Sequence, residues 1–227
     1  MTQDSLPDAT AIEAALRRGL DGMGIALNDA RVARLIEYLR LLVRWNQAYN
    51  LTAVRDPAAM VSRHLLDSLV VLPFVSAPAI ADLGTGAGLP GIPLAIARPG
   101  LAVHLVESNG KKIRFLREAV RRLELTDVAV IEARAEIGPH PGAPVGQVIS
   151  RALAALPLLC RLAAPWMAPG GQLLAMKGPG WREELVGLPA GWRIHSDHEL
   201  AVPGLEAGRH LVILGGPNPD DPRPPRP

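Results

Sequence analysis

Asp82, Gly84, Gly86, Gly88 and Gly91 fall within one short stretch, and a second acid, Glu107, follows 23 residues after Gly84. Glycines so spaced let a chain turn sharply with positive φ. They also bring its backbone close to a ligand that a Cβ would push away. A carboxylate about 20 residues beyond such a loop, at the end of the next strand, is placed to accept hydrogen bonds from both hydroxyls of a ribose. Asp82 can accept from loop amides or approach a cationic ligand. These residue types at these spacings point to a small molecule that carries a nucleoside. A plain structural turn does not call for four glycines directly after a strand.

Two ligands fit the loop as text. Gly84-x-Gly86-x-Gly88, with Asp82 just ahead, is the pattern that holds S-adenosylmethionine. Gly86-x-Gly88-x-x-Gly91 also matches the dinucleotide fingerprint. A dinucleotide loop opens at the strand end and uses its third glycine to pack helix on sheet. Here the strand ends near Leu83, so Gly84 is the first turn residue. Pro90 and Pro93 suit a first helical turn, and Asp82 would repel a pyrophosphate. The register therefore favours the methyl donor.

The elements that must position these residues form an alternating series. Residues 79–83 read as a strand and 92–97 as the start of a helix. Residues 101–107 are a second strand, ending in Glu107. A helix over 109–123 buries Ile113, Leu116, Val120 and Leu123 on one stripe. Lys111, Lys112, Arg114, Arg117, Arg121 and Arg122 make its other face basic. Such faces are usually solvated, but this one begins beside the ligand end of the sheet, so phosphate binding is a second reading. Strand 128–131 leads to Glu132–Glu136 at its carboxyl end, and 138–146 is a Gly- and Pro-rich loop. Strand 147–151 presents Ser150 and Arg151, helix 153–167 follows, and strand 170–176 ends at Lys177. A helix starts near Trp181. Strands 192–200 and 210–214 form a hairpin with Arg209 and His210 at its turn.

Helices precede this series, over 9–20, from the Asn28 cap to 48, and from the Asp56-Pro57 cap onward. The last carries Arg63, His64, Asp67 and Ser68 among apolar residues. They are satisfied core groups or they face a cleft, and periodicity favours the core. The sum is a helical extension (1–75), one α/β domain of the Rossmann kind (76–216) and a Pro-rich tail (217–227) expected to be disordered. The sheet is mostly parallel with a terminal antiparallel hairpin. No second domain is left to hold a dehydrogenase substrate.

The chain has 227 residues, 48% of them hydrophobic, a net charge of +2 and a pI of about 9.0. Three lysines leave arginine to carry nearly all the positive charge, which permits a nucleic-acid partner without requiring one. A single cysteine, Cys160, in an apolar run reads as a core thiol and excludes an internal disulfide. No signal segment and no membrane span are visible, so a cytoplasmic protein is expected. His195-x-Asp197-His198 lies on a strand that turns the two histidines to opposite faces, so no metal site is expected.

Several stretches resemble one family. They are Trp45-Asn46-x-x-Tyr49-Asn50-Leu51-Thr52, Arg63-His64-x-x-Asp67-Ser68, the loop from Asp82 to Leu94, Glu107-Ser108, Ser150-Arg151-Ala152, Lys177-Gly178 and Arg209-His210-Leu211. In this order they are similar to the bacterial RsmG (GidB) family. The likeness implies a Rossmann-like methyltransferase that moves a methyl group from S-adenosylmethionine to N7 of guanine 527 of 16S ribosomal RNA. It implies a donor site at Gly84, Leu89, Ala135, Glu136 and Arg151, to which the loop adds Asp82, Gly86 and Glu107. Lys111, Lys112, Arg114, Lys177 and Arg209 are the candidates for RNA contact. A monomer acting on 16S rRNA or the small subunit, without a metal, a membrane or a general base, is expected.

Overall fold

The computed structural model describes residues 6, 8–138 and 144–216. The expected tail, and most of the loop expected before the fourth strand, lie outside them. The centre is a seven-stranded sheet in the order β3-β2-β1-β4-β5-β7-β6. Its strands are β1 (Ala79–Leu83), β2 (Ala102–Glu107), β3 (Val128–Glu132), β4 (Val145–Arg151), β5 (Met167–Lys177), β6 (Arg193–Leu200) and β7 (Arg209–Gly215). β1 to β5 are parallel, and β7 inserts antiparallel between β5 and β6. β1, the end of β2 and most of β4 are buried without alternation because helices cover both of their faces. The strand order reverses between β1 and β4, which opens a crevice at their carboxyl ends.

Side chains alternate between two cores. Ile80, Leu105, Ile149, Leu174 and Ile213 face one side; Ala81, Leu83, Val106, Val148, Leu173 and Leu214 face the other. The second side is covered by α7 (Leu156–Ala163), Trp166 and Trp181. The first is covered by α5 (Gly91–Ala97) and α6 (Gly110–Arg122), and by the N-terminal helices α1 (Ala9–Gly22) and α2 (Asp29–Tyr49). α3 (Pro57–Met60) runs through a π-helical turn (Val61–Leu66) into α4 (Asp67–Leu69) on the same side. Leu16, Leu35, Met60 and Leu65 thus share one core with the sheet. No helix of the described residues is long and apolar enough to cross a membrane.

Several boundaries differ from expectation. The helix expected over 153–167 is only α7, because Pro157 sets its first turn and Pro165 stops it. A 3₁₀ turn (Ala164–Trp166) follows, and β5 starts at Met167, with a register shift opposite β4 between Val145 and Gln147. Pro179–Leu185 is 3₁₀, not α. Arg209 and His210 are not at the hairpin turn: they lie inside β7, opposite Leu200 and Glu199, because residues 201–208 form a longer connection. On β6, His195 lies over Gly215 and His198 packs on Phe74, so the two rings have separate surroundings. Cys160 is buried, which pushes its thiol up to about 12.

The glycine loop is folded by one carboxylate. Asp82 is fully buried; its Oδ2 accepts from the Thr85 hydroxyl at 2.6 Å and from the Gly91 amide at 2.8 Å. A Cβ on Gly91 would stand 2.8 Å from that oxygen and 2.4 Å from Leu105, so only glycine brings the amide this close. From the other side, the buried Tyr38 hydroxyl of α2 donates to the Ala87 carbonyl at 2.6 Å. Burial holds that phenol far above its ordinary pKa, so it stays a donor.

Tyr38→Phe leaves the buried Ala87 carbonyl without a partner, and the urea midpoint should report a loss of about 1–2 kcal/mol. Burial lifts the Asp82 carboxyl from 3.8 to about 6, while Thr85 and Gly91 restrain the rise. A raised folded pKa means that stability present below 3.8 is lost as pH rises through about 6. Between those limits the wild type should lose stability relative to Asp82→Asn, by roughly 2–3 kcal/mol. Parallel curves for the two proteins would contradict this.

Candidate functional site

At the crevice, the structure brings Gly84, Glu107, Ala135 and Glu136 onto the wall of one cavity of about 470 Å³. Gly84 opens the loop at φ +65°, a left-handed conformation. A Cβ there would meet Leu153 at 2.5 Å. Glu107 ends β2 and is almost buried. Its Oε1 accepts from the amides of Ser108 and Asn109, both at 2.9 Å, and its Oε2 from the Gly86 amide at 3.1 Å. Three amides use three of about four lone-pair sites, so the carboxylate is held in place with acceptor capacity left on Oε2. Lys112 of α6 lines the same cavity, 3.7 Å from Oε2. Trp166 donates to the Ala135 carbonyl at 2.8 Å and so fixes the opposite wall.

These walls fit an adenosyl group. The volume is that of a small-ligand site. Ala135, Leu153 and Leu162 offer an apolar slot for a flat ring, and Glu107 offers an acceptor for hydroxyls. A pyrophosphate fits poorly. The amide at the start of α5 that would hold it is already spent on Asp82, whose charge lies behind the loop.

A second cleft, of about 1020 Å³, adjoins the first; Ala152 and Leu153 line both. Its polar residues come from far apart in the chain. Asp67 receives the Arg151 guanidinium on one oxygen at 2.7 Å and Arg209 Nε on the other at 2.8 Å. Arg151 also donates to the Arg63 carbonyl at 3.0 Å. Lys177 donates to Glu184 at 2.6 Å and to the Ala154 carbonyl at 2.7 Å, while Glu184 also takes the Leu156 amide. The wall segment 152–155 is therefore anchored at both ends. Ala152 between the anchors has φ +54°, which strains a residue with a Cβ.

His64 lines the second cleft yet is nearly buried. Its Nδ1 lies 2.9 Å from the Arg63 carbonyl, which makes that nitrogen the donor. Nε2 is then the acceptor for the Thr52 hydroxyl at 2.9 Å. Burial, aided by the Arg151 charge, lowers its pKa, so the ring is neutral. Asn46 takes the Thr52 amide at 2.8 Å and donates to the Val54 carbonyl, so the Asn50-Leu51-Thr52 turn is built to hold this pair.

The structure thus divides the predicted residues. Gly84, Glu107, Ala135 and Glu136 meet at the first cavity. Asp82 and Leu89 lie buried behind the loop, and Gly86 contributes its amide to Glu107. Arg151 sits in the second cleft. Lys177 and Arg209 are held by carboxylates, Lys112 faces the first cavity, and Lys111 and Arg114 are exposed on α6. His64 and Asp67 face the cleft and are also satisfied, Arg63 lines it from an exposed position, and Ser68 is buried with no hydrogen-bond partner for its hydroxyl among the described residues. The π-helical turn adds a residue to its turn and breaks the 3.6-residue phase from which periodicity assigned them to the core. Leu153 and Glu184 gave no signal in the sequence, since a leucine and a glutamate at helix starts look ordinary.

Comparison with known proteins completes the picture. Residues 31–212 match the family described as rRNA small subunit methyltransferase G, GidB. A Ribosomal RNA small subunit methyltransferase G from Xanthomonas axonopodis pv. citri is 55% identical over 206 residues, which are 91% of this chain and 96% of that protein. The protein of the same name from Stenotrophomonas maltophilia is 53% identical over 217 residues, 96% of this chain and 100% of that one. A SAM-dependent methyltransferase from Aquifex aeolicus superposes with a TM-score of 0.52 at 20% identity, over 66% of this chain and 90% of that one. The TYW2 protein of M. jannaschii, solved in complex with AdoMet, superposes with a TM-score of 0.52 at 16% identity, over 66% and 74% of the two chains. These two likenesses show the Rossmann-like fold of S-adenosylmethionine-dependent methyltransferases. A match over most of its length, and more than half of its residues shared with named relatives, place the chain in the rRNA small subunit methyltransferase G (GidB) family.

Proposed function

We propose that the chain methylates N7 of guanine 527 in 16S ribosomal RNA with S-adenosylmethionine as donor. The observation that carries the reading is the pair of cavities that share the Ala152–Leu153 wall. The smaller suits an adenosyl group; the larger has room for a nucleobase. Relatives over half identical bear the name of a small-subunit rRNA methyltransferase. The donor supplies a methyl group on a sulfonium centre.

The protein's part is to place an acceptor. Guanine N7 has a lone pair and no proton, so no side chain has to remove one. The cleft agrees with this. His64 is neutral, and both of its ring nitrogens are engaged. The methylated base is a cation, which nearby positive charge would disfavour. Arg151 and Arg209 direct their charge onto Asp67, so this charge is partly balanced before a base arrives. Glu107 orients the donor through its ribose. Gly84 and the residues around Ala135 and Glu136 complete that site. With no acid–base step, rate comes from alignment across the Ala152–Leu153 wall.

The direct experiment is methyl transfer from labelled S-adenosylmethionine to small-subunit RNA lacking the modification, followed by nucleoside digestion. Label in 7-methylguanosine is expected. Label in another nucleoside would overturn the target atom, and no label on RNA or subunits, with donor binding intact, would overturn the reaction. Glu107→Gln should weaken S-adenosylhomocysteine binding about tenfold in calorimetry, the worth of one charged hydrogen bond. Single-turnover rate should be level from about pH 6.5 upward. A tenfold rise per pH unit would show that a general base is needed after all.

A further inference from the structure

The aromatic side chains on the first face of the sheet form a ladder that runs from the glycine loop to solvent. Its inner rung is Tyr38, whose hydroxyl holds the Ala87 carbonyl of that loop. Phe115 is next, fully buried, with ring centres 6.3 Å apart. Trp45 meets Phe115 edge-on at 5.8 Å, and Tyr49 lies 5.2 Å from Trp45. The outermost rung is the Arg114 guanidinium, 5.7 Å above the Tyr49 ring. Exposure climbs from none at Tyr38 to 38% at Tyr49.

The charges along α6 are not treated alike. Arg117 pairs with Glu132 at 3.0 Å and Arg121 with Glu118 at 3.0 Å. Arg114 and Lys111, one turn apart on the same helix, have no ion pair among the described residues. Arg55, close in sequence to Tyr49, is held by the Asn50 amide oxygen and not by an acid. The ladder ends in a cation that has no ion pair among the described residues, with two more cations close in the chain. Lys112, two residues before Arg114, lines the donor cavity, and Val54, beside Arg55, lines the acceptor cleft.

We propose that Tyr49 and Arg114 form a stacking platform for an unpaired base that neighbours the target in the same RNA strand, with Lys111 and Arg55 holding its phosphates. A guanidinium plane and an aromatic ring both stack on any base, and the free charge matches the phosphate backbone. Tied to Ala87 at its inner end, the ladder sets the height of the strand above the donor site. This inference rests on RNA being the substrate.

The test uses the full chain and small-subunit RNA lacking the modification. If the wild type methylates neither that RNA nor assembled subunits lacking the modification, the functional reading itself fails. If it methylates either, Tyr49→Ala should raise the KM for RNA about tenfold, with kcat and S-adenosylhomocysteine affinity unchanged. Tyr49→Phe should restore KM, since it keeps the ring. Arg114→Ala should raise KM and lower the slope of log affinity against log salt by about one. An unchanged KM in Tyr49→Ala would overturn the platform. So would a parallel loss of donor affinity, which would make the ladder a structural element. An effect on assembled subunits but not on naked RNA would assign the surface to a ribosomal protein and would overturn it too.

Discussion

One carboxylate with two arginines on it governs the geometry of the cleft. Asp67 is 3% exposed and takes Arg151 from the end of β4 and Arg209 from the start of β7. A helix, a parallel strand and an antiparallel strand are thereby clamped at one point. Such a buried group needs both partners. With two, each of its oxygens has a charged partner and the cluster keeps one net positive charge. With either removed, a nearly buried ion is left short of partners, which costs several kcal/mol by general experience, about 3–5. The wall between the cavities begins at Arg151, so the clamp also sets where that wall stands.

The two sites are held by different means. Around the smaller cavity, backbone amides do most of the positioning: three on Glu107 and one on Asp82. Amides have no rotamers to lose, so a carboxylate fixed by them is ready at little entropic cost. Around the larger cleft, ion pairs and side-chain hydrogen bonds predominate: Asp67 with its arginines, Lys177 with Glu184, Thr52 with His64. The pairs on Asp67 link segments 84 and 142 positions apart, and side-chain pairs adapt in a way that peptide geometry does not.

This difference explains what could be read from the sequence. The glycine loop was legible because its constraints are local. Positive φ and close approach leave glycine as their mark, and Glu107 stands at a strand end that periodicity locates. The strand series was legible for the same reason. The larger cleft was not, beyond the family resemblance. Asp67 and Arg209 are 142 positions apart, and nothing in either neighbourhood names the other. The π-helical turn at Val61–Leu66 moved Arg63, His64 and Asp67 out of the phase in which their helix was read. Leu153 carries no mark of its position over Gly84.

The insertion of β7 between β5 and β6 has a consequence for how the molecule comes into being. The N-terminal helices leave the ribosome first, yet their apolar faces rest on a core that includes Leu211 and Ile213. Arg209, in that same late strand, completes the cluster around Asp67. The early helices can bury much of their apolar surface on α5 and α6, but their shared core and the Asp67 cluster stay incomplete until β7, the last strand of the described residues, has paired. Such long-range closure slows folding and lengthens the interval in which chaperones or aggregation compete for the chain. Its compensation is timing: the cleft acquires its arginine clamp in the same event that closes the sheet, so a nascent chain has no complete cleft until β7 has paired.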